Sequence, residues 1–432
     1  MMGHIFNLAA AVLLLASAAS CREEQEEKNS LALPDCLYIL EGVSADLYSE
    51  SFVRRWDPYD FHVRYSGSCR FDKRIPRCAT VSSAADGDWL EVSLIDAEDF
   101  SLIQSDTVAL KVGKRDCGKG KVNVQVLGDS FVDGAFYRAA LLDSAYVPGI
   151  RMVGLRNVRN TPGHYDEGRG GWTLASYFTV SRDEFSPYSG YMQPAGDMRY
   201  WGATAFWKNC HKVETGQITD FEARYACGRF TDHYQKFCPQ TGLLLEPAEG
   251  DLMWDCDRYV VYDGEDWTDA GEIKDWSFDY GKYLEMWDLE KPDFLFETLG
   301  LNDFRYGLDA DYSEWDVMIE KMKDSYLEAV PNGIFAIVIP CSSCGLMENR
   351  RGDYTLFQNR CMWQFRKHLV EAFSGREAEG FHLVDMGITI DNATGYNVDA
   401  EGLQTGNPHP YPNYPTMGVP LAAFVQYHRE RL

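Results

Sequence analysis

The sequence predicts an α/β protein in which a parallel sheet, covered by helices on both faces, follows a small β-sandwich. Three observations predict it. From about residue 120 onward, short apolar runs of strand length alternate with amphipathic stretches of helical length, and that alternation folds as a parallel sheet between helices. Residues 33–118 alternate apolar and polar positions with a period of two and carry no helical stripe of useful length. Clusters of Gly, Asp and Ser at 66–68 and 84–88 cut that first region into short strands.

The chain opens on a segment outside the fold. Leu8 to Ala19 is a run of Leu, Ala and Val broken only by Ser17. It is shorter than the ~20 apolar residues a membrane span needs, and small residues follow it, so 1–21 reads as a secretory signal. Ala18-Ala19-Ser20-Cys21 resembles the lipobox of bacterial lipoproteins. Two outcomes stay open: a lipid anchor on Cys21, or ordinary cleavage after Ala18 or Ser20. Residues 22–32 then form a tether, opening with the charged run REEQEEKNS. The expected location is outside the cytoplasm, as a surface or periplasmic lipoprotein or a secreted protein, touching membrane only through such an anchor.

In the β-sandwich region of 33–118, Leu90, Val92 and Leu94 alternate with polar neighbours, as do Val108, Leu110 and Val112. The α/β region spans 120–432. Its expected strands are 122–127 (VNVQVL), 150–155, 294–299, 334–339 (IFAIVI) and 382–386. Helices are expected at 135–144, 315–330, 354–373 and 417–428. A segment at about 185–288, rich in Trp, Tyr, Gly and Cys, breaks the alternation and reads as an insertion beside the site.

The 41 basic against 66 acidic residues give a net charge of -25. Nucleic acid is not an expected partner, because phosphate binding needs clustered Lys and Arg. Twelve cysteines in an exported chain predict disulfides. Cys341-Ser-Ser-Cys344 has the spacing of half a metal site, but no second such pair exists. A disulfide or two buried thiols is the expectation there, and neither metal nor cofactor is expected.

Four short blocks carry chemistry. Gly128-Asp129-Ser130 follows a strand and precedes a helix, which sets a Ser hydroxyl beside backbone N–H groups able to hold an oxyanion; the plain alternative is a turn with an N-cap. Gly154 ends the second strand and offers a backbone N–H, or is simply a loop glycine. Gly300-Leu301-Asn302-Asp303 follows the third strand, where the Asn302 amide can reach the same oxyanion or merely close a loop. In Asn407-Pro408-His409-Pro410 the prolines fix an extended loop that exposes a His. A lone His is more often structural than catalytic; the order of the four blocks is what raises it here.

That order resembles the SGNH (GDSL-type) hydrolase family, named for its Ser, Gly, Asn and His blocks. The resemblance covers roughly 120–432 without the insertion. His164 to Thr173 (HYDEGRGGWT) looks like the HEG-x-GW segment of an extracellular carbohydrate-esterase-like branch, and Thr204-Ala205-Phe206-Trp207 resembles its NPFW element. Leu33-Pro34 to Tyr48, ahead of a β-sandwich, is similar too. The resemblance implies a flavodoxin-like three-layer α/β/α domain. It also implies Ser130 as nucleophile, His409 as general base, and an oxyanion hole of Ser130 N–H, Gly154 N–H and the Asn302 amide. The family's Asp, three residues before the His, is Gly406 here. A backbone carbonyl or another acid must then orient the ring, and Asp399 and Glu401 are the nearest candidates.

The resemblance also implies an acylated carbohydrate as substrate, acetyl esters foremost. Trp201, Trp207, Trp254, Trp267, Trp276 and Trp287 crowd the insertion, where each could stack on a sugar or equally build the core. A lipase-type esterase and a non-catalytic glycan-binding lipoprotein on the same fold are the competing readings.

Overall fold

A computed structural model describes residues 30–429 apart from 55–60, 76, 116–119, 135–137, 158–162, 184–185, 187, 220–235, 342–355, 393, 399, 402–408 and 411–413. The chain begins with β1 (Cys36–Leu40), β2 (Ala45–Tyr48), β3 (Phe61–Gly67), β4 (Arg70–Ile75), β5 (Cys78–Ser83), β6 (Trp89–Asp96) and β7 (Leu102–Gly113). These strands make two sheets, β1-β7-β6-β3 and β2-β5-β4. The period-two residues of β6 and β7 are the buried ones: Leu90, Val92, Leu94, Val108 and Leu110 share one apolar core with Leu47 and Val81 of the second sheet. Leu31 and Ala32, expected in the tether, belong to this fold instead. Leu31 is buried in the same core and donates its N–H to Gln104 Oε1 at 2.9 Å.

The second half contains β8 (Val122–Gly128), α1 (Ser130–Asp133), β9 (Ile150–Met152), β10 (Glu167–Gly168), β11 (Met192–Pro194), β12 (Arg199–Ala203), α2 (Thr204–Glu214), β13 (Asp251–Asp255), β14 (Arg258–Tyr262), β15 (Trp267–Gly271) and β16 (Trp276–Phe278). It ends with β17 (Phe294–Glu297), α3 (Leu301–Phe304), α4 (Ser313–Ala329), β18 (Ile334–Ile339), α5 (Leu356–Phe373), β19 (His382–Asp385) and α6 (Val419–Arg429). One parallel sheet runs β8-β17-β18-β19, and β9 and β10 lie end to end along the other side of β8. The chain thus winds outward from β8 to β9, then returns to β17 on the opposite side. A sheet wound this way opens a crevice at the carboxyl ends of the two strands where the winding reverses. Those strands are β8 and β17.

Helices cover both faces. Phe424 of α6 packs its ring 6.0 Å from Phe294 and 5.5 Å from Phe296. Tyr326 of α4 meets Phe335, which pairs in register with Leu295. Side chains alternate along a strand, so Leu295 and its neighbour Phe335 face away from Phe294 and Phe296. Tyr38 of β1 lies 4.8 Å from the Phe424 ring, so α6 is packed between the sandwich and the parallel sheet.

The inserted region is more regular than its sequence. It holds the sheet β12-β13-β14-β15 and the pair β11-β16. Strands such as DLMWD and RYVVY bear large side chains on both faces, so no two-residue alternation shows. Trp287 and Trp207 are buried and Trp201 stacks on Trp207 at 4.0 Å, so these rings build the core of the region. The disulfide expectation also changes: the eight described cysteines form no disulfide with one another, and seven of them are buried. Buried Cys acts as a small apolar group, and burial pushes the Cys78 and Cys341 thiols up to about 12. Cys344 and Cys21 lie outside the described residues.

Candidate active site

Ser130 stands at the first helical position of α1, directly past the end of β8. Asp129 caps the helix, its Oδ1 accepting the Phe131 N–H at 2.9 Å. The helix has four residues, so what it offers an anion is the N–H groups of one turn rather than a macrodipole. The Ser130 N–H donates to no described group.

His409 Nε2 lies 2.9 Å from Ser130 Oγ, bridging 279 residues of sequence. The edge of its ring meets Phe131, with centroids 5.0 Å apart. Burial, and behind it the Arg305 guanidinium, lowers the imidazole pKa to about 4. The ring is therefore neutral at pH 7 and able to accept a proton. Of the residues weighed for its far side, Gly406 and Asp399 lie outside the described residues, and Glu401 is exposed in a turn.

Asn302 reaches the same place from α3. Gly300 enters that helix with φ +111, and a Cβ there would sit 2.0 Å from the Phe365 ring, so only glycine fits. Asp303 fastens the turn by accepting the Leu174 N–H at 2.9 Å and the Gly300 N–H at 3.1 Å. Asn302 Nδ2 donates to Asp129 Oδ2 at 3.2 Å and to the Trp172 carbonyl at 3.0 Å. Its amide is thus held beside the nucleophile, and an oxyanion contact would replace one of these two bonds.

Gly154 is not brought to this point. Its N–H donates to Gln240 Oε1 at 2.9 Å, while Gln240 Nε2 donates to the Met152 carbonyl at 3.0 Å. The register Val124↔Met152 leaves Gly154 short of the end of β8. β10 takes over that edge, pairing Glu167 with Leu127 and Gly168 with Gly128. A Cβ on Gly168 would lie 2.2 Å from the Asp133 backbone N, so α1 rests directly on this glycine. Arg169 N–H donates to the Gly128 carbonyl at 2.8 Å. Buried Glu167 accepts from Leu155 N–H at 2.5 Å, from Arg169 at 3.0 Å, and from the Tyr283 hydroxyl. The HYDEGRGGWT segment is thus the brace of the nucleophile turn. The Thr204–Trp207 element opens α2, where Trp207 Nε1 donates to the Trp201 carbonyl at 2.6 Å.

Sequence reasoning misses the carboxyls beside the nucleophile. Asp129, Glu297 and Asp303 gather at the ends of β8 and β17. Burial raises them to about 7, about 8 and about 6 respectively, and for the first two, nearby carboxylates add to the effect. Such a group holds part of its proton at neutral pH. The one readable signal was that an acid ends, or directly follows, each of the two central strands.

No family model matches the chain, and neither does any curated protein. Among solved structures it is similar to the protein YXIM_BACsu from Bacillus subtilis, at 10% identity and a TM-score of 0.26, over 93% of this chain and 80% of that one. It is also similar to a family two carbohydrate esterase from Cellvibrio japonicus, at 12% identity and a TM-score of 0.25, over 88% of this chain and 90% of that one. Likenesses at these TM-scores carry no weight for fold or function.

Proposed function

We propose that this chain is a serine ester hydrolase of the SGNH type, on a flavodoxin-like three-layer domain, removing acyl groups from glycans outside the cytoplasm. One observation carries the reading: the Ser130–His409 hydrogen bond at the crevice between β8 and β17, with Asn302 beside it. Ser130 Oγ attacks the ester carbonyl carbon while His409 Nε2 takes its proton. The negative oxygen is met by the Ser130 N–H, and by Asn302 once its amide releases Asp129 or Trp172. His409 returns the proton to the leaving alcohol oxygen. Water then cleaves the acyl-enzyme with His409 again as base. Cys21, if lipidated, would hold the enzyme at a membrane surface, and the net charge of -25 speaks against a nucleic-acid partner.

The glycan and acetyl parts of the reading rest on the resemblance of the four blocks to extracellular carbohydrate esterases. A p-nitrophenyl ester series from acetate to octanoate, together with acetate release from acetylated polysaccharides, tests them. Acetate is expected to turn over fastest; faster octanoate turnover makes the protein a lipase-type esterase instead. Asn302→Ala is expected to lower kcat about 10²–10³-fold, measured on the acetate ester. A loss confined to KM would remove Asn302 from the oxyanion hole.

A further inference from the structure

We infer that a basic cleft on the inserted region binds an acidic sugar residue, independently of the Ser130 site. The cleft lies between the start of α2 and the β13–β14 turn. Its lining includes Arg182, Thr204, Lys208, Asn209, Lys212 and Trp254. Three cations face the lining acid Asp183 and Asp255, which accepts from the lining Thr204 hydroxyl at 3.0 Å, so the cleft keeps a cationic excess on a chain whose acids outnumber its bases 66 to 41. Such a local reversal of sign concentrates anions against the field of the whole molecule.

The cations are arranged to stay available. Arg182 Nε donates to the Tyr259 hydroxyl at 2.9 Å, which fixes the guanidinium 5.5 Å over the Trp254 ring. Its two terminal nitrogens make no bond to a described group, and a guanidinium presents such a pair to a carboxylate in matching geometry. Lys208 is exposed and pairs with no described carboxylate. Asn209 is 6% exposed, and its carbonyl accepts from Lys212 at 3.4 Å, which holds that ammonium beside the cleft. The 11-residue helix α2 begins at Thr204, and no side chain caps it.

The ligand chemistry follows from these donors. Three cations call for an anion, and half-buried Trp254 supplies an aromatic surface for the ring that carries it. A cleft of about 210 Å³ is smaller than the ~300 Å³ at which drug-sized sites begin, so it takes one ring rather than a chain segment. A uronic acid residue of a polysaccharide meets all of these requirements. The cleft would then hold an acidic glycan while Ser130 acts on another part of it.

Isothermal titration of the full-length protein with tri-galacturonate, maltotriose and a sulfated trisaccharide tests this. Tri-galacturonate is expected to bind, with affinity falling as salt rises, and maltotriose is not. Lys208→Glu with Lys212→Glu, and separately Trp254→Ala, should each weaken binding at least tenfold and leave p-nitrophenyl acetate turnover unchanged. The lysine pair is exposed, so that double variant keeps its fold, which circular dichroism verifies. Ser130→Ala should bind as wild type does, so this inference and the esterase reading fail separately. Equal affinity for maltotriose, binding untouched by the lysine reversals, or no binding at all overturns the acidic-sugar site. Tighter binding of the sulfated trisaccharide overturns the carboxylate assignment.

Discussion

Hydrolysis of p-nitrophenyl acetate is expected to fall on the order of 10⁴- to 10⁶-fold in Ser130→Ala, with the melting temperature held within about 3 °C. The two effects separate because Ser130 is only half-buried and its hydroxyl's described bond is the one to His409. Alanine removes the nucleophile and leaves the turn, which is held by Asp129 and Gly168 rather than by the serine. His409→Ala should cost nearly as much, and the double variant little more than either single one, because the pair acts as a unit. The pH profile of the wild type carries the same logic. The His409 pKa is lowered to about 4, so the imidazolium forms only below that value. The base is then competent above it, and kcat/KM should rise between about pH 3 and 5 and stay level through pH 6.5. A limb near pH 6.5 would show an anionic partner offsetting the burial of the ring. Unchanged turnover in Ser130→Ala would leave the protein a non-catalytic member of its fold.

The parts of this site that were legible in the sequence are those set by strand ends. Ser130 and Asn302 each follow an apolar run buried on both faces, and such runs announce themselves without knowledge of their neighbours. Helix α4 was equally plain, because Trp315, Ile319, Met322 and Tyr326 keep one stripe. The bond from Gly154 to Gln240 has a physical reason. The apolar run at 150–155 suggested a strand reaching the site, yet its regular pairing with β8 ends at Met152. The outer N–H is then satisfied by Gln240, 86 residues away. The two residues that do flank Gly128, Glu167 and Gly168, are too few to show a period. The acid cluster of Asp129, Glu297 and Asp303 is a property of packing through space, and no spacing encodes it. The thiols followed compartment logic in the sequence and apolar packing in the fold.

Arg366→Ala is expected to destabilise the protein by about 3–5 kcal/mol, the cost of stranding one half of a buried ion pair. Arg366 of α5 is 3% exposed and Asp385, at the end of β19, is 4% exposed. The guanidinium meets both carboxylate oxygens, Nη1 donating to Oδ1 at 3.1 Å and Nη2 to Oδ2, while Nε donates to the Ala32 carbonyl at 2.8 Å. One planar fork thus ties a helix, the last parallel strand and the first segment of the sandwich. Alanine would leave the Asp385 carboxylate with the Ile388 N–H at 3.0 Å as its remaining described donor, and would strip the Ala32 carbonyl. Lysine keeps the charge but not the planar geometry, so Arg366→Lys should fall between the two. Arg366→Met with Asp385→Asn removes both charges and should recover most of the loss. Urea unfolding of the four proteins decides the matter. A single-variant cost under about 1 kcal/mol, or a double variant no better than Arg366→Ala, would mean that the sandwich is held by apolar packing around Phe424 and not by this fork.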